Sequence, residues 1–187
     1  QHTRPAWIIA IPPSMGRPGG FAFSPSGKTL MMAGESGGLV LDLESDRLLE
    51  APWLCGGIVA FSPDGAHVWV TRGGDAWGMG RDRDAGPPRL SCFTPRGVKE
   101  HDLSLSMNIP ASITFQNGGK DVLVEGWNGR GLRMEAGGTI QTVTQTFAVD
   151  TGRSTTVLGK VQNGFGPRDP WSKSLPATTD RPKRAIR

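Results

Sequence analysis

The sequence is poor in the residue types that most often carry chemistry or covalent cross-links. Among 187 residues it has two cysteines, Cys55 and Cys92, and three histidines. Two cysteines are too few for a disulfide framework or a structural zinc site. No apolar run approaches the roughly 20 residues of a membrane-spanning helix. We expect neither a membrane span nor a signal peptide, although Gln1 is compatible with the mature end of a secreted chain.

The net charge of +4 is confined to the carboxyl-terminal tail. The tail from Gly166 onward has six basic and two acidic residues: Arg168, Lys173, Arg181, Lys183, Arg184 and Arg187, against Asp169 and Asp180. Subtracting them from the totals of 21 and 17 leaves 15 basic and 15 acidic residues in the rest of the chain. A neutral body argues against a nucleic-acid surface. The basic tail is typical of a solvated terminus.

A short sequence motif occurs twice in full and a third time in part. Phe21–Lys28 reads FAFSPSGK, Val59–Ala66 reads VAFSPDGA, and Ile113–Lys120 reads ITFQNGGK. Each copy is an apolar strand end followed by a turn, in which proline presets φ and glycine supplies the positive φ. With 27 glycines and 15 prolines the chain suits many short strands joined by turns. The repeats fix the architecture as all-β, with units of four antiparallel strands.

These repeats predict the organisation of the whole chain. We expect a leading strand at 7–11, three units at about 20–52, 57–106 and 110–162, and a proline-rich basic tail or linker at 163–187. The interval from Phe23 to Phe61 is 38 residues, and that from Phe61 to Phe115 is 54. The extra residues fall mainly in the long loop between the second and third strands of unit two, at 72–88, and unit three has a long irregular stretch at the same place, at 126–139.

The phrase Phe61–Gly65, FSPDG, followed by an apolar strand, resembles the repeats of WD40-like and YVTN/TolB-type β-propellers. The ends of units, such as Leu41-Asp42-Leu43, are similar as well. The resemblance covers about residues 20–160 and implies a β-propeller, a fold that hosts many unrelated functions. The sequence departs from true WD40 blades because it lacks their Gly-His and Trp-Asp pairs, and its third turn has lost proline and aspartate.

Three blades do not close a propeller ring, which usually needs four to eight. An open arc is expected to leave two apolar faces exposed. The sequence therefore predicts a partial β-propeller whose ring is completed by further chain or by another subunit, which includes a homo-oligomer. A degenerate fourth blade in residues 164–186 is a further alternative.

The long loops and the blade connections are expected to share one face of the disc, and this face receives three tryptophans. Trp53 lies in a connection between blades, and Trp77 and Trp127 lie in the two long loops. Tryptophan offers a large anchoring area and stacks on sugars or cations. Arg81 and Arg83 would form polar contacts at the rim. The alternative is that the indoles pack over the strands or against missing blades.

Catalytic constellations are weak, so we assign no catalytic, metal or cofactor residues. His101 and Asp102 are neighbours on a predicted strand and therefore point to opposite faces. In the predicted blade two strand spacings, about 9.6 Å, separate Cys55 from Cys92, which exceeds the reach of a disulfide. Free thiols favour a reducing compartment.

The sequence favours a non-catalytic scaffold that binds protein partners through the long-loop face. One alternative is a propeller that binds carbohydrate or another small ligand through Trp53, Trp77 and Trp127. Another is a portion of a propeller enzyme whose catalytic groups lie elsewhere.

Overall fold

Twelve strands form three separate sheets in a computed structural model of the chain, which describes residues 9–73, 86–130 and 139–163. The first sheet contains β1 (Pro18–Phe23), β2 (Thr29–Gly34), β3 (Gly38–Asp42) and β4 (Arg47–Ala51). The second contains β5 (Val59–Phe61), β6 (Val68–Arg72), β7 (Arg89–Phe93) and β8 (Lys99–Ser104). The third contains β9 (Ile109–Gln116), β10 (Asp121–Arg130), β11 (Thr139–Ala148) and β12 (Ser154–Asn163). We call these sheets blade 1, blade 2 and blade 3.

Each blade is an antiparallel meander in which consecutive strands are hydrogen-bonded neighbours. This confirms the prediction of an all-β chain with four-stranded antiparallel units. The first strands of the blades lie side by side, since β1 contacts β5 and β5 contacts β9. The blades therefore follow one another in an arc, with their first strands innermost.

Polar side chains shape the turn between the first two strands of each blade. In blade 2 the Ser62 hydroxyl accepts a hydrogen bond from the His67 amide at 2.9 Å and donates one to Asp64 at 2.5 Å. Gly65 closes the turn at φ +72°, a region that glycine enters without strain. In blade 3, Asn117 replaces the proline and adopts φ +50°. Proline is locked near −65° and could not occupy this position.

Two hydrophobic cores hold the arc together, one between each pair of adjacent blades. The first buries residues of blades 1 and 2, including Met31, Val59 and Phe61. The second is built around Trp69, which packs with residues of blade 3 such as Val122. In strand β6, Val68 and Val70 thus enter the first core and Trp69 between them enters the second, as the two-residue period of a strand requires.

Two parts of the predicted organisation need correction. Residues 9–11, the described part of the predicted leading strand, belong to no strand, and a short 3₁₀ turn follows at Pro13–Met15. The 126–139 region is also less irregular than expected. Strand β10 continues to Arg130 and β11 starts at Thr139, because five of the ten cross-strand pairs of this hairpin lie past Glu125. Most of the tail, 164–187, lies outside the described residues.

Candidate functional site

The candidate site is the end of the blades that carries the loops between second and third strands and the connections between blades. We call this end the long-loop face, and the opposite end, which carries the Ser-Pro turns, the turn face. The antiparallel meanders place all of these loops and connections together. Trp77, Arg81 and Arg83 belong to the part of the predicted site that lies outside the described residues.

Trp127 lies in strand β10, whereas the sequence predicted it in a loop. It pairs with Ile109 of β9 and Thr142 of β11. Its neighbours along the strand at positions 126 and 128 face the connection between blades 2 and 3, so the indole is on the opposite side, the outward face of blade 3. The side chain is half-buried. Trp127 is therefore partly accessible close to the long-loop face.

Two buried or half-buried amides of blade 3 fix the connection between blades 2 and 3. The Gln145 carbonyl accepts a hydrogen bond from the Ser106 amide at 2.8 Å, and its amino group donates to the Ser104 carbonyl at 3.3 Å. Asn128 accepts from the Asn108 amide at 3.0 Å and donates to the Ser106 carbonyl at 2.7 Å. Gln145 is 3% exposed. Such bonds satisfy backbone groups that would otherwise be buried without partners.

Our sequence reasoning did not find Gln145 or Asn128. The available signal was a polar residue at an inward position of a strand, because Gln145 alternates with Val143 and Phe147, which are both buried. Burial of an amide costs little folding free energy only where the amide makes its hydrogen bonds.

Trp53 takes a different orientation from the one expected. Its ring lies 5.1 Å from that of Phe93 between centroids. Its Nε1 atom lies 2.5 Å from the place where a Cβ on Gly97 would be. Gly97 is in the β7–β8 turn, which is on the turn face of blade 2. The backbone of Trp53 is in the blade connection as predicted, but its half-buried indole runs between blades 1 and 2 toward the opposite end.

His101 and Asp102 point to opposite faces of β8, in agreement with the sequence analysis. The His101 ring stacks on Trp69 with centroids 6.4 Å apart. Asp102 accepts a hydrogen bond from Ser91 at 2.7 Å and forms ion pairs with Arg89 and Lys99. Burial works to raise the pKa of Asp102, but the Ser91 hydroxyl and the two cations outweigh it and hold that pKa below its usual value.

Both cysteines are free thiols. Burial raises the pKa of the Cys92 thiol to about 12, and the nearby Glu100 carboxylate acts in the same direction. Cys92 is fully buried, whereas Cys55 is half-buried and donates a hydrogen bond to the Glu35 carbonyl at 3.0 Å. A thiol held neutral and away from solvent is a poor nucleophile.

Within the described ranges, no group of three or more histidine, cysteine, aspartate or glutamate side chains could hold a metal ion. No helix in the same ranges is long and apolar enough to cross a membrane.

The arrangement of the blades is similar to that of several solved β-propellers. Hydrazine synthase of Kuenenia stuttgartiensis matches with a TM-score of 0.53 and 15% identity, over 75% of this chain and 37% of that one. TolB of Acinetobacter baumannii matches with a TM-score of 0.50 and 17% identity, over 76% of this chain and 32% of the other. A provisional TolB of Agrobacterium tumefaciens matches with a TM-score of 0.52 and 15% identity, over 79% of this chain and 50% of the other.

These likenesses show that the fold is that of a β-propeller, as the repeat pattern predicted. At identities this low, the likenesses show only the fold and not the function. The chain spans about a third to a half of the length of the solved structures it matches. No model of a known protein family matches the sequence. No curated protein sequence matches it either.

Proposed function

We propose that this partial propeller is a non-catalytic interaction module that binds a protein partner through its long-loop face. In this proposal further chain or another subunit completes the ring. The observation that carries the proposal is the connection between blades 2 and 3, which is pinned just before Ile109, the residue that pairs with Trp127. Four hydrogen bonds made by the side chains of Gln145 and Asn128 tie the backbone of residues 104–108 to blade 3. A surface that is ordered before binding loses less conformational entropy when a partner docks.

Trp127 supplies the anchor in this proposal. Half-buried tryptophans surrounded by ordered backbone are frequent hot spots, because a rigid indole contributes much contact area. The loop residues Trp77, Arg81 and Arg83, which lie outside the described ranges, remain predicted members of the same surface. Trp53 contributes to the packing between blades 1 and 2. Its indole points away from the long-loop face, so we do not propose that it contacts a partner there.

The test is affinity capture with matched baits. Immobilised wild-type chain, Trp127→Ala and Ser26→Arg are exposed to extract of the source cells, and retained proteins are quantified by mass spectrometry. Ser26 is exposed in the blade 1 turn, on the turn face. A partner of the long-loop face is lost by Trp127→Ala and kept by Ser26→Arg, and the same pattern must hold with the purified partner. Retention by both variants counts against the proposal.

One observation favours a carbohydrate ligand as the second candidate. Trp127 shares the outward face of blade 3 with hydroxyl and carboxylate groups, such as Thr142 across the sheet and Ser112, which donates to Glu125 at 3.2 Å. An indole beside hydrogen-bonding groups suits the apolar and polar sides of a sugar ring. Titration of tryptophan fluorescence with a glycan panel tests this candidate. A response that Trp127→Ala abolishes supports it, and an unchanged signal across the panel contradicts it.

A further inference from the structure

The same two positions of the repeat have different surroundings in the three blades. Val59 and Phe61 of blade 2 are 5% and 8% exposed, because blade 1 packs over them. Ile113 and Phe115 are their equivalents in blade 3 and pack against the second core. In blade 1 the equivalents are Phe21 and Phe23, and these are 67% and 55% exposed. The two positions that lie in an interface in blades 2 and 3 are thus occupied in blade 1 by phenylalanines that are exposed to solvent.

The turns between the first and second strands also differ between blade 1 and the other two blades. The ring of Pro25 in blade 1 lies 3.5 Å from the place where a Cβ on Gly65 of blade 2 would be. Pro63 of blade 2 lies 3.1 Å from the same place on Gly119 of blade 3. Each turn proline thus seats on the turn glycine of the next blade. At Gly27 of blade 1 no described atom lies within 4 Å of that place.

The other end of the arc is built differently. The face of blade 1 toward blade 2 includes Met31 and Ala33, and the face of blade 2 toward blade 3 includes Trp69 and Cys92. The corresponding outward face of blade 3 is more polar; it carries Ser112, Thr114, Glu125, Thr142, Thr144 and Thr146, together with the apolar side chains of Leu123, Trp127 and Val157. Of the two open faces that the sequence analysis expected to be apolar, that of blade 3 is thus the more polar. A polar outer face is typical of the terminal unit of a repeat array.

We infer that the blade 1 surface formed by Phe21, Phe23 and Gly27 is the docking site of a further propeller blade that lies outside residues 1–187. This inference rests on the proposed completion of the ring and specifies its direction. The incoming blade presents an apolar sheet face to the two phenylalanines, as blade 1 does to Phe61. Its first turn carries a proline that seats on Gly27.

A second copy of these residues does not meet this requirement. Its two turn prolines, Pro25 and Pro63, are already seated on its own glycines. Its remaining outward face is the polar face of blade 3, and the turn there has Asn117 in place of proline. Polar groups that lose water against a phenylalanine face without gaining hydrogen bonds would oppose such a contact.

The test adds a blade and measures whether Phe21 becomes protected. A second copy of residues 57–106 is fused ahead of Gln1 of the full chain, in a Cys55→Ser background. Single Phe21→Cys and Val157→Cys variants are then labelled with a maleimide. Val157 is the matched control, because it is 61% exposed on the outward side of blade 3.

The labelling rate at position 21 should fall about tenfold or more in the fusion, since a covered side chain reacts only through local opening. The rate at position 157 should stay within about twofold. The same copy fused after Arg187 should protect neither position. Pro63→Ala in the added copy should restore part of the labelling at position 21.

A second fusion guards against failure of the first to fold. It carries a copy of residues 18–58, whose face already covers Val59 and Phe61 in the native chain. If neither fusion protects position 21, the inference is wrong. If the unfused chain instead becomes protected at position 21 as its concentration rises, the occupant is a second copy and the inference is wrong. Binding at the long-loop face is read separately through Trp127→Ala, so either proposal can fail alone.

Discussion

Phe23 and Phe61 occupy the same repeat position, so alanine at each gives a matched measurement of what a neighbouring blade contributes. Phe61 is 8% exposed within the core between blades 1 and 2, and Phe61→Ala leaves a cavity there. Phenylalanine-to-alanine changes in cores cost about 3–5 kcal/mol of unfolding free energy. Phe23 is 55% exposed, and none of the three described blades packs over it. Phe23→Ala should therefore cost about 1 kcal/mol or less, because little apolar area is lost and no cavity forms.

Urea unfolding followed by circular dichroism measures both differences on the full chain. The expected result is a large fall in the transition midpoint for Phe61→Ala and a small one for Phe23→Ala, with equal slopes. Equal costs of about 3 kcal/mol would refute the reasoning, because Phe23 would then be buried in solution like its equivalent. A small cost at both positions would refute the inter-blade core itself.

Three further predictions concern thiols, pH and a turn. Native protein should react with Ellman's reagent at one thiol, the half-buried Cys55, and at two only after denaturation, since Cys92 is buried with its pKa raised to about 12. Asp102→Asn should lower stability at pH 7. Because the folded pKa of Asp102 lies below 3.8, its contribution is complete above that value and is lost as pH falls through the folded pKa. The difference between wild type and variant in urea titrations should therefore shrink from pH 5 to pH 3. Gly97→Ala should destabilise by about 1–3 kcal/mol in thermal melts, because a Cβ there meets Trp53 and φ is +85°.

Much of the architecture could be predicted because local chemistry controls it. The Ser-Pro-X-Gly turns reverse the chain through their own hydrogen bonds and glycine conformation, so their positions set the strands on each side. Ser62, Asp64 and Gly65 show this directly. The alternation of apolar residues then assigns each strand two faces. These signals need only a few neighbouring residues.

The features that sequence reasoning missed depend on contacts between distant segments. The direction of the Trp53 indole is decided by space beside Phe93 and Gly97, about 40 residues away in the chain. The length of β10 depends on its register with β11 across a long loop. Gln145 could have been noticed as a polar residue at an apolar period, but its partners at Ser104 and Ser106 are supplied by another blade.

The two ends of the arc place different demands on whatever lies beside them. Docking a blade on Phe21 and Phe23 removes apolar surface from water at about 25 cal/mol per Å² and leaves no polar group unsatisfied at those two side chains. Docking on the outward face of blade 3 would require hydrogen-bond partners for Thr114, Glu125 and Thr144, since an unpaired buried polar group costs about 1–3 kcal/mol. Hydrophobic association is therefore favoured at blade 1 and opposed at blade 3. This difference supports a further blade on the Phe21 and Phe23 side of the arc rather than on the Trp127 side.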